Sequence, residues 1–149
     1  MSELRDLYQQ LILDHYKSPR NYRKVDDYSH VAHGHNPLCG DRIEVYLKMN
    51  GDRVEDISFQ GSGCAISTAS ASLMTTAIKG KTKSEVKAIF EKFHSLVTTD
   101  ETPDPESLGK LVVFAGVREF PVRVKCATLA WHTTHAALKD EKDQTVTTE

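Results

Sequence analysis

The chain has 149 residues, with 19 basic and 21 acidic side chains and a formal net charge of -2 at pH 7. Apolar residues make up 39% and charged residues 27% of it, which is typical of one soluble globular domain and excludes disordered and fibrous classes. The balanced charge gives no reason to expect nucleic acid or an anionic membrane as a partner, and no apolar stretch approaches membrane-spanning length.

The first segment is predicted to be an amphipathic helix that ends before Pro19. Its apolar side chains recur at the spacing of one helix face: Leu4, Leu7, Tyr8, Leu11 and Ile12. The segment lacks the basic region, apolar run and cleavage site of a signal peptide, so we expect a cytoplasmic protein. Residues 20–40 hold prolines, glycines and histidines, and we expect a loop there with one edge strand at Val31 and Ala32.

Residues 42–59 are predicted to form a β-hairpin. Alternating side chains Ile43, Val45 and Leu47 give the period of a half-buried strand, and the sequence MNGD supplies the turn. The second strand continues to Phe59, with an expected irregularity at Asp56.

Three more helices are predicted after the hairpin. The small-residue segment AISTASASLMTTAIKG follows GSGC and ends at Gly80, KTKSEVKAIFEKFHSLV forms the next helix, and PVRVKCATLAWHTTHAALK opens with a proline. Residues 98–110 form a polar connection, and residues 111–117 remain ambiguous. We expect one domain over 1–149, with 140–149 as a disordered tail that is too polar to pack.

The three cysteines, Cys39, Cys64 and Cys126, fall in three different segments. Three cysteines cannot pair completely within one chain, and a reducing cytosol does not favour structural disulfides, so we expect thiols. Each cysteine adjoins a chain reversal or a helix start. Together with Asp41 they offer a tetrahedral donor set for a borderline-soft ion such as zinc.

Cys39 and Asp41 lie two residues apart, with Gly40 between them. If a strand already runs through this point, both side chains lie on one face and can converge on one ion. The alternative is that Cys39 is a small core residue and Asp41 an acid that closes the turn.

Cys64 lies just after a Gly-Ser-Gly turn, at the start of a predicted helix, where the exposed backbone N–H groups favour a thiolate. The alternative is a buried cysteine beneath a turn. Cys126 lies in the first turns of the last helix, and its alternative role is core packing against Leu129. Three thiolates and one carboxylate around a divalent ion leave a charge of about -2, which Arg123 and Lys125 could partly offset.

Four histidines near these segments are weaker candidates. His132 and His135 lack the acid of an HExxH motif, and we interpret them as a solvent-facing pair on the last helix. His33 and His35 have strand spacing beside the predicted site and are interpreted as supporting contacts rather than ligands.

Four blocks of the chain resemble the U-type iron–sulfur assembly proteins, the IscU/SufU (NifU N-terminal-like) family, from residue 3 to about residue 139. They are LYQQLILDHYKSPRN, HNPLCGDRIEV, FQGSGCAISTASASLM and FPVRVKCATLAWHTTHAAL. The resemblance implies an α+β fold with a small antiparallel sheet of about three strands packed against several helices. It also implies a surface metal site made by Cys39, Asp41, Cys64 and Cys126.

The SufU branch is the better match. Lys125 stands where the IscU branch has a histidine, and the long connection between Cys64 and Cys126, including LGKLVVFAGVREF, is similar to the insertion of the SufU branch. The resemblance implies a zinc-dependent protein that accepts persulfide sulfur on Cys39 from a pyridoxal-phosphate cysteine desulfurase. It would act as co-substrate and activator of that enzyme and pass sulfur to downstream iron–sulfur assembly proteins, with Arg123 and Lys125 in partner docking.

Two other functions are compatible with the same side chains. The first is a scaffold on which a [2Fe-2S] cluster is assembled and transferred, because cysteine-rich sites also bind iron–sulfur clusters. The second is a purely structural zinc, although closed structural sites more commonly use only Cys and His.

Overall fold

The structure is a computed structural model that describes residues 2–99, 105–139 and 144–147. Five helices, one 3₁₀ helix and four strands follow one another within these ranges. They are α1 (Ser2–Lys17), β1 (His30–Asn36), β2 (Asp41–Asn50), β3 (Arg53–Ser62), α2 (Ala65–Ile78), α3 (Lys83–Thr98), α4 (Pro105–Leu108), the 3₁₀ helix (Gly109–Glu119), α5 (Pro121–Leu138) and β4 (Gln144–Thr147). No helix in the described part of the chain is long and apolar enough to cross a membrane.

The predicted α+β class with a three-stranded antiparallel sheet is confirmed. β2 pairs antiparallel with both β1 and β3, and helices cover the sheet. The predicted hairpin is β2–β3, joined by Gly51 and Asp52. Its register shifts opposite Lys48 and Met49, so Glu55 is the extra residue, next to the expected position at Asp56.

The tail prediction is wrong for Gln144–Thr147. These residues form β4, which pairs in parallel with residues 32–35 of β1 and gives the sheet the order β3-β2-β1-β4. A sheet edge offers unpaired backbone N–H and C=O groups, and polar residues can satisfy them as well as apolar ones. The rest of the predicted tail, 140–143 and 148–149, lies outside the described residues.

The ambiguous residues 111–117 belong to the 3₁₀ helix. Its apolar side chains Leu111, Val113, Phe114 and Val117 are buried, so the segment closes the core beside α3. The polar connection that we predicted over 98–110 is partly helical, since it contains α4, while residues 100–104 lie outside the described part.

Helix α5 crosses directly over β1 because Gly34 has no side chain. A Cβ at this position would lie 2.1 Å from Oγ1 of Thr133 and 3.0 Å from Leu129, so the close approach requires glycine. The contact orients α5 along the sheet. As a result, the first turns of α5, which carry Cys126, lie beside the end of β1 at Asn36.

The C-terminal half of α5 also packs against α3. Phe93 stacks on Trp131 with ring centroids 4.6 Å apart, and both side chains are buried. The prediction of a solvent-facing histidine pair is wrong, because His132 and His135 are half-buried and both pack against Phe90, at 5.3 and 5.8 Å between ring centroids. An apolar partner on a second helix can shield polar side chains that helix periodicity alone would leave in water.

Candidate metal centre

Cys39 lies in the four-residue turn 37–40 that joins β1 to β2, and its side chain is half-buried. The strand therefore starts two residues later than the shared-face interpretation requires. Gly40 adopts the left-handed region at φ 71°, and a Cβ there would meet nothing within 4 Å. Gly40 is thus suited to the backbone conformation of the turn.

Asp41 is the first residue of β2 and is fully buried. One carboxylate oxygen, Oδ1, accepts the backbone N–H of Cys64 at 2.8 Å. The other, Oδ2, accepts the side-chain amide of Asn36 at 3.3 Å and lies 4.0 Å from Sγ of Cys64. A buried carboxylate needs such donors, and here they hold it between three elements of the fold.

Cys64 is the N-cap of α2, and its sulfur accepts the backbone N–H of Ser67 at 3.4 Å. The pKa of the Cys64 thiol is lowered to about 6, first by the hydrogen bond with the Cys126 side chain and further by the N–H groups of Ser67 and Ile66. Burial opposes this shift. The N–H groups at the helix start therefore shift the pKa of Cys64 in the direction that the sequence predicts, but the Cys126 side chain has the larger effect.

Cys126 is buried in the second turn of α5, and its Sγ lies 3.1 Å from Sγ of Cys39. The hydrogen bond to Cys64 and the burial of the group raise the pKa of the Cys126 thiol. Donor atoms of Cys39, Asp41 and Cys126 all lie within 4.8 Å of one another. Cys64 lies beside this group, in contact with Asp41.

Asn36 is the contributor that the sequence analysis did not identify. This last residue of β1 is fully buried, and its Nδ2 donates to Asp41 at 3.3 Å and to Sγ of Cys126 at 3.5 Å. Asn36 and Asp41 are also directly paired across β1 and β2. The signal available in the sequence is an asparagine before proline, within residues 20–40, for which the sequence predicts mainly a loop.

The two cationic side chains near the start of α5, Arg123 and Lys125, differ in their relation to the site. The charge of Cys64 raises the pKa of the Arg123 guanidinium, and Cys126 and Cys39 add smaller effects in the same direction. Lys125 is half-buried and precedes Cys126 on α5.

His33 and His35 lie on β1, where their backbones pair with Glu44 and Arg42 of β2. The residue of β1 that contacts the site is Asn36.

The chemistry of this donor set fits a divalent metal. Two sulfurs and one carboxylate lie within 4.8 Å of one another, the Cys64 sulfur lies 4.0 Å from that carboxylate, and the carboxylate is fully buried. Zinc is bound by this combination of soft and hard donors in a tetrahedral arrangement. Cys39, Asp41, Cys64 and Cys126 are the residues that could hold it.

Comparison with known proteins agrees with the fold. Residues 7–127 match the family model of the NifU-like N-terminal domain. The chain is 47% identical over 130 residues to the zinc-dependent sulfurtransferase SufU of Bacillus subtilis (strain 168), covering 87% of this chain and 88% of that protein. It is also 42% identical over 139 residues to the iron–sulfur cluster assembly scaffold protein IscU of Streptococcus pyogenes serotype M1, covering 93% and 87%.

A solved structure has the same architecture. The crystal structure of an iron–sulfur cluster assembly scaffold protein of the SUF system from Fervidobacterium islandicum AW-1 superimposes with a TM-score of 0.82 at 36% identity. The match covers 87% of this chain and 94% of that one.

Proposed function

The chain belongs to the family of NifU-like N-terminal domains, with SufU and IscU proteins of iron–sulfur cluster assembly among its relatives, and we propose that it transfers sulfur in a zinc-dependent manner, using Cys39 as the acceptor. The proposal extends to this chain the activity named for the relative from B. subtilis. Its support within the structure is the unequal anchoring of the four donor side chains.

Three of the four donors are held by N–H groups. Asp41 accepts two N–H donors, Cys64 accepts from Ser67, and Cys126 accepts from Asn36. Among the described residues, Cys39 contacts the Cys126 thiol but accepts no hydrogen bond from an N–H group. Because it also lies on a half-exposed turn, Cys39 is the donor that can leave the cluster with the least disruption.

Bound zinc would keep the cysteine side chains deprotonated at neutral pH. Cys64 and Cys126 stay in place on their helices, and Asp41 stays in place on β2. Arg123, whose pKa is raised by the charge of the cysteines, offsets part of the negative charge that three thiolates and a carboxylate create.

The sulfur-transfer step is a thiol–persulfide exchange. The thiolate of Cys39 attacks the outer sulfur of a persulfide on a pyridoxal-phosphate cysteine desulfurase. A new S–S bond forms on Cys39, the S–S bond of the donor persulfide breaks, and the desulfurase cysteine leaves as a thiolate. The exchange needs no added oxidant or reductant, and Cys39 then carries the sulfur to downstream assembly proteins.

The surface around Cys39 is suited to contact with a partner protein. Leu38 and Phe120 are each 59% exposed and Val122 is 49% exposed, next to Cys39 and at the start of α5. Apolar side chains exposed beside a reactive group are typical of contact surfaces. Arg123 and Lys125 lie on the same end of α5 and are proposed to contact the desulfurase.

A second candidate function is the assembly scaffold for a [2Fe-2S] cluster. The observation in its favour is the 42% identity to the scaffold protein IscU of S. pyogenes over nearly the whole chain. The same thiolates would bind the cluster. Metal analysis of protein purified without chelator separates the two: about one zinc per chain supports sulfur transfer, whereas iron with acid-labile sulfide supports the scaffold.

Sulfur acceptance is tested by incubating the protein with a cysteine desulfurase and free cysteine. Mass spectrometry of the fragments should then locate one added sulfur atom on the fragment that contains Cys39. Cys39→Ser should remove both the added sulfur and the activation of the desulfurase while the circular dichroism spectrum stays unchanged. Added sulfur on Cys64 or Cys126, or full activation by Cys39→Ser, would show that Cys39 is not the acceptor.

A further inference from the structure

A concave surface lies between α3 and α5, well away from the cysteines. Both helices contribute side chains at positions i, i+3, i+4 and i+7, so two regular faces meet along a groove. The cavity has a volume of about 180 Å³ and is lined by Lys83, Val86, Lys87, Phe90, Trp131, Thr134, His135, Leu138 and Lys139. His135 follows Cys126 by nine residues, which is about 13 Å along the helix.

The floor of this α3–α5 groove is apolar. Val86 and Trp131 are 4% and 2% exposed, and Phe90 stacks on Trp131 with ring centroids 6.1 Å apart. A volume of 180 Å³ is below the range of pockets that enclose a drug-sized ligand. It has room for one apolar side chain of a partner.

The rim of the groove is cationic. Lys83, Lys87 and Lys139 are exposed, and in the described part of the chain no carboxylate forms an ion pair with any of them. Glu85, the acid in the first turn of α3, is held by Thr82 in a capping box. Burial lowers the pKa of His135, and repulsion from Lys139 and Lys87 lowers it further, as expected in a positive local potential.

We propose that the α3–α5 groove is a docking site for an acidic peptide segment of a partner protein, with one apolar side chain of that segment inserted over Phe90 and Trp131. The three exposed lysines of the rim provide the charge complementarity, and the small apolar floor provides the anchor position. The proposal does not depend on the proposed sulfur transfer, because it uses none of the residues around Cys39.

The peptide acetyl-EEDLEED-amide is a suitable probe, and Trp131 is a built-in reporter because it is the single tryptophan of the chain and lines the groove. Titration at low ionic strength should change the tryptophan fluorescence in a saturable way. The affinity should decrease with added salt, since screening weakens the contact with the lysines. A peptide with glycine in place of leucine should bind more weakly.

Lys87→Glu should weaken peptide binding about fivefold or more, because the change replaces attraction by repulsion at the rim. Lys92→Glu is the matched control: it makes the same change in charge on an exposed residue of α3 that does not line the groove, and it should change the affinity by less than about twofold. Lys87→Arg should retain binding. Circular dichroism confirms that each variant is folded.

Three results would overturn the proposal. The first is the absence of saturable binding by the native chain, and the second is equal weakening by Lys87→Glu and Lys92→Glu. The third is a change of oligomeric state in Lys87→Glu, measured by sedimentation, without any effect on the peptide, which would show that a second copy of the chain covers the groove.

Discussion

Asn36 joins two of the four donor side chains to the end of β1. Its amide donates to Asp41 and to Cys126, and its own Oδ1 accepts the backbone N–H of Leu38 in the turn that carries Cys39. One buried side chain therefore links a strand end, a turn and a helix. Mutation of groups that orient metal ligands in this way typically lowers metal affinity by about 10- to 100-fold.

Asn36→Ala should lower the affinity for zinc by about 10- to 100-fold, because Asp41 and Cys126 lose the donor that orients them. Competition with a chromophoric chelator measures the change. His35→Ala is the control, since this neighbouring residue points to the other face of β1 and is half-buried. Equal affinities of Asn36→Ala and the native chain would mean that the amide does not orient the site.

Helix α3 begins with a capping box, which stabilises this one element. The hydroxyl of Thr82 accepts the backbone N–H of Glu85, and the Glu85 carboxylate accepts the backbone N–H of Thr82. The sequence KTKSEVK contains this signature, T-x-x-E before an apolar periodic segment.

Thr82→Ala should reduce the free energy of unfolding by about 1 kcal/mol, the usual effect of removing an N-cap side chain. Chemical denaturation measures it. Thr98→Ala changes the same residue type at the other end of α3, where the hydroxyl donates only to His94 O, and should change the unfolding free energy by less than about 0.5 kcal/mol. Similar losses in both variants would contradict a specific role of the cap.

The contact between α1 and α2 depends on a neutral histidine. His15 is 3% exposed, and its Nδ1 lies 2.6 Å from Oγ of Ser72, which also accepts the backbone N–H of Arg20. Burial lowers the pKa of His15, and the charge of Arg20 lowers it further. The folded chain therefore binds fewer protons than the unfolded chain just below the unfolded pKa of about 6.5.

It follows that the free energy of unfolding should decrease as the pH falls below about 6.5, the range in which the unfolded chain takes up the proton first. His15→Asn keeps a polar group near Ser72 without this titration. Its unfolding free energy should vary less with pH between about 7 and 5 than that of the native chain. Parallel pH profiles would show that His15 is not responsible.

For the whole molecule, the donor set connects elements that are far apart in the chain. β1, the turn after it, β2, α2 and α5 all contribute to one cluster. A metal that binds there stabilises the folded state relative to an unfolded chain in which these residues are separated.

Removal of zinc should lower the midpoint of thermal unfolding by roughly 10 °C, if free zinc exceeds its dissociation constant by about a thousandfold. Calorimetry with and without a strong chelator measures the shift. Asp41→Ala should show a much smaller chelator effect, because one donor is lost. An unchanged midpoint in the native chain, with metal removal verified, would exclude a stabilising role of the ion.

Local patterns in the sequence were sufficient for most elements of this molecule. The alternation in β2, the proline at the start of α5 and the apolar periodicity of α3 are signals between neighbouring residues, and backbone hydrogen bonds convert them into structure within a few positions. Residue chemistry likewise identified three thiols and an acid as a possible donor set, because few other side chains combine in this way.

Tertiary packing was needed for the arrangement of the site. Cys39 meets Cys126 across 87 positions of the chain, because the absence of a side chain at Gly34 lets α5 lie on β1. The role of Asn36, the pairing of β4 and the shielding of His132 by Phe90 likewise depend on contacts between distant segments. Spacing along a chain encodes only the faces of single elements, whereas the packing of side chains between elements determines which faces meet.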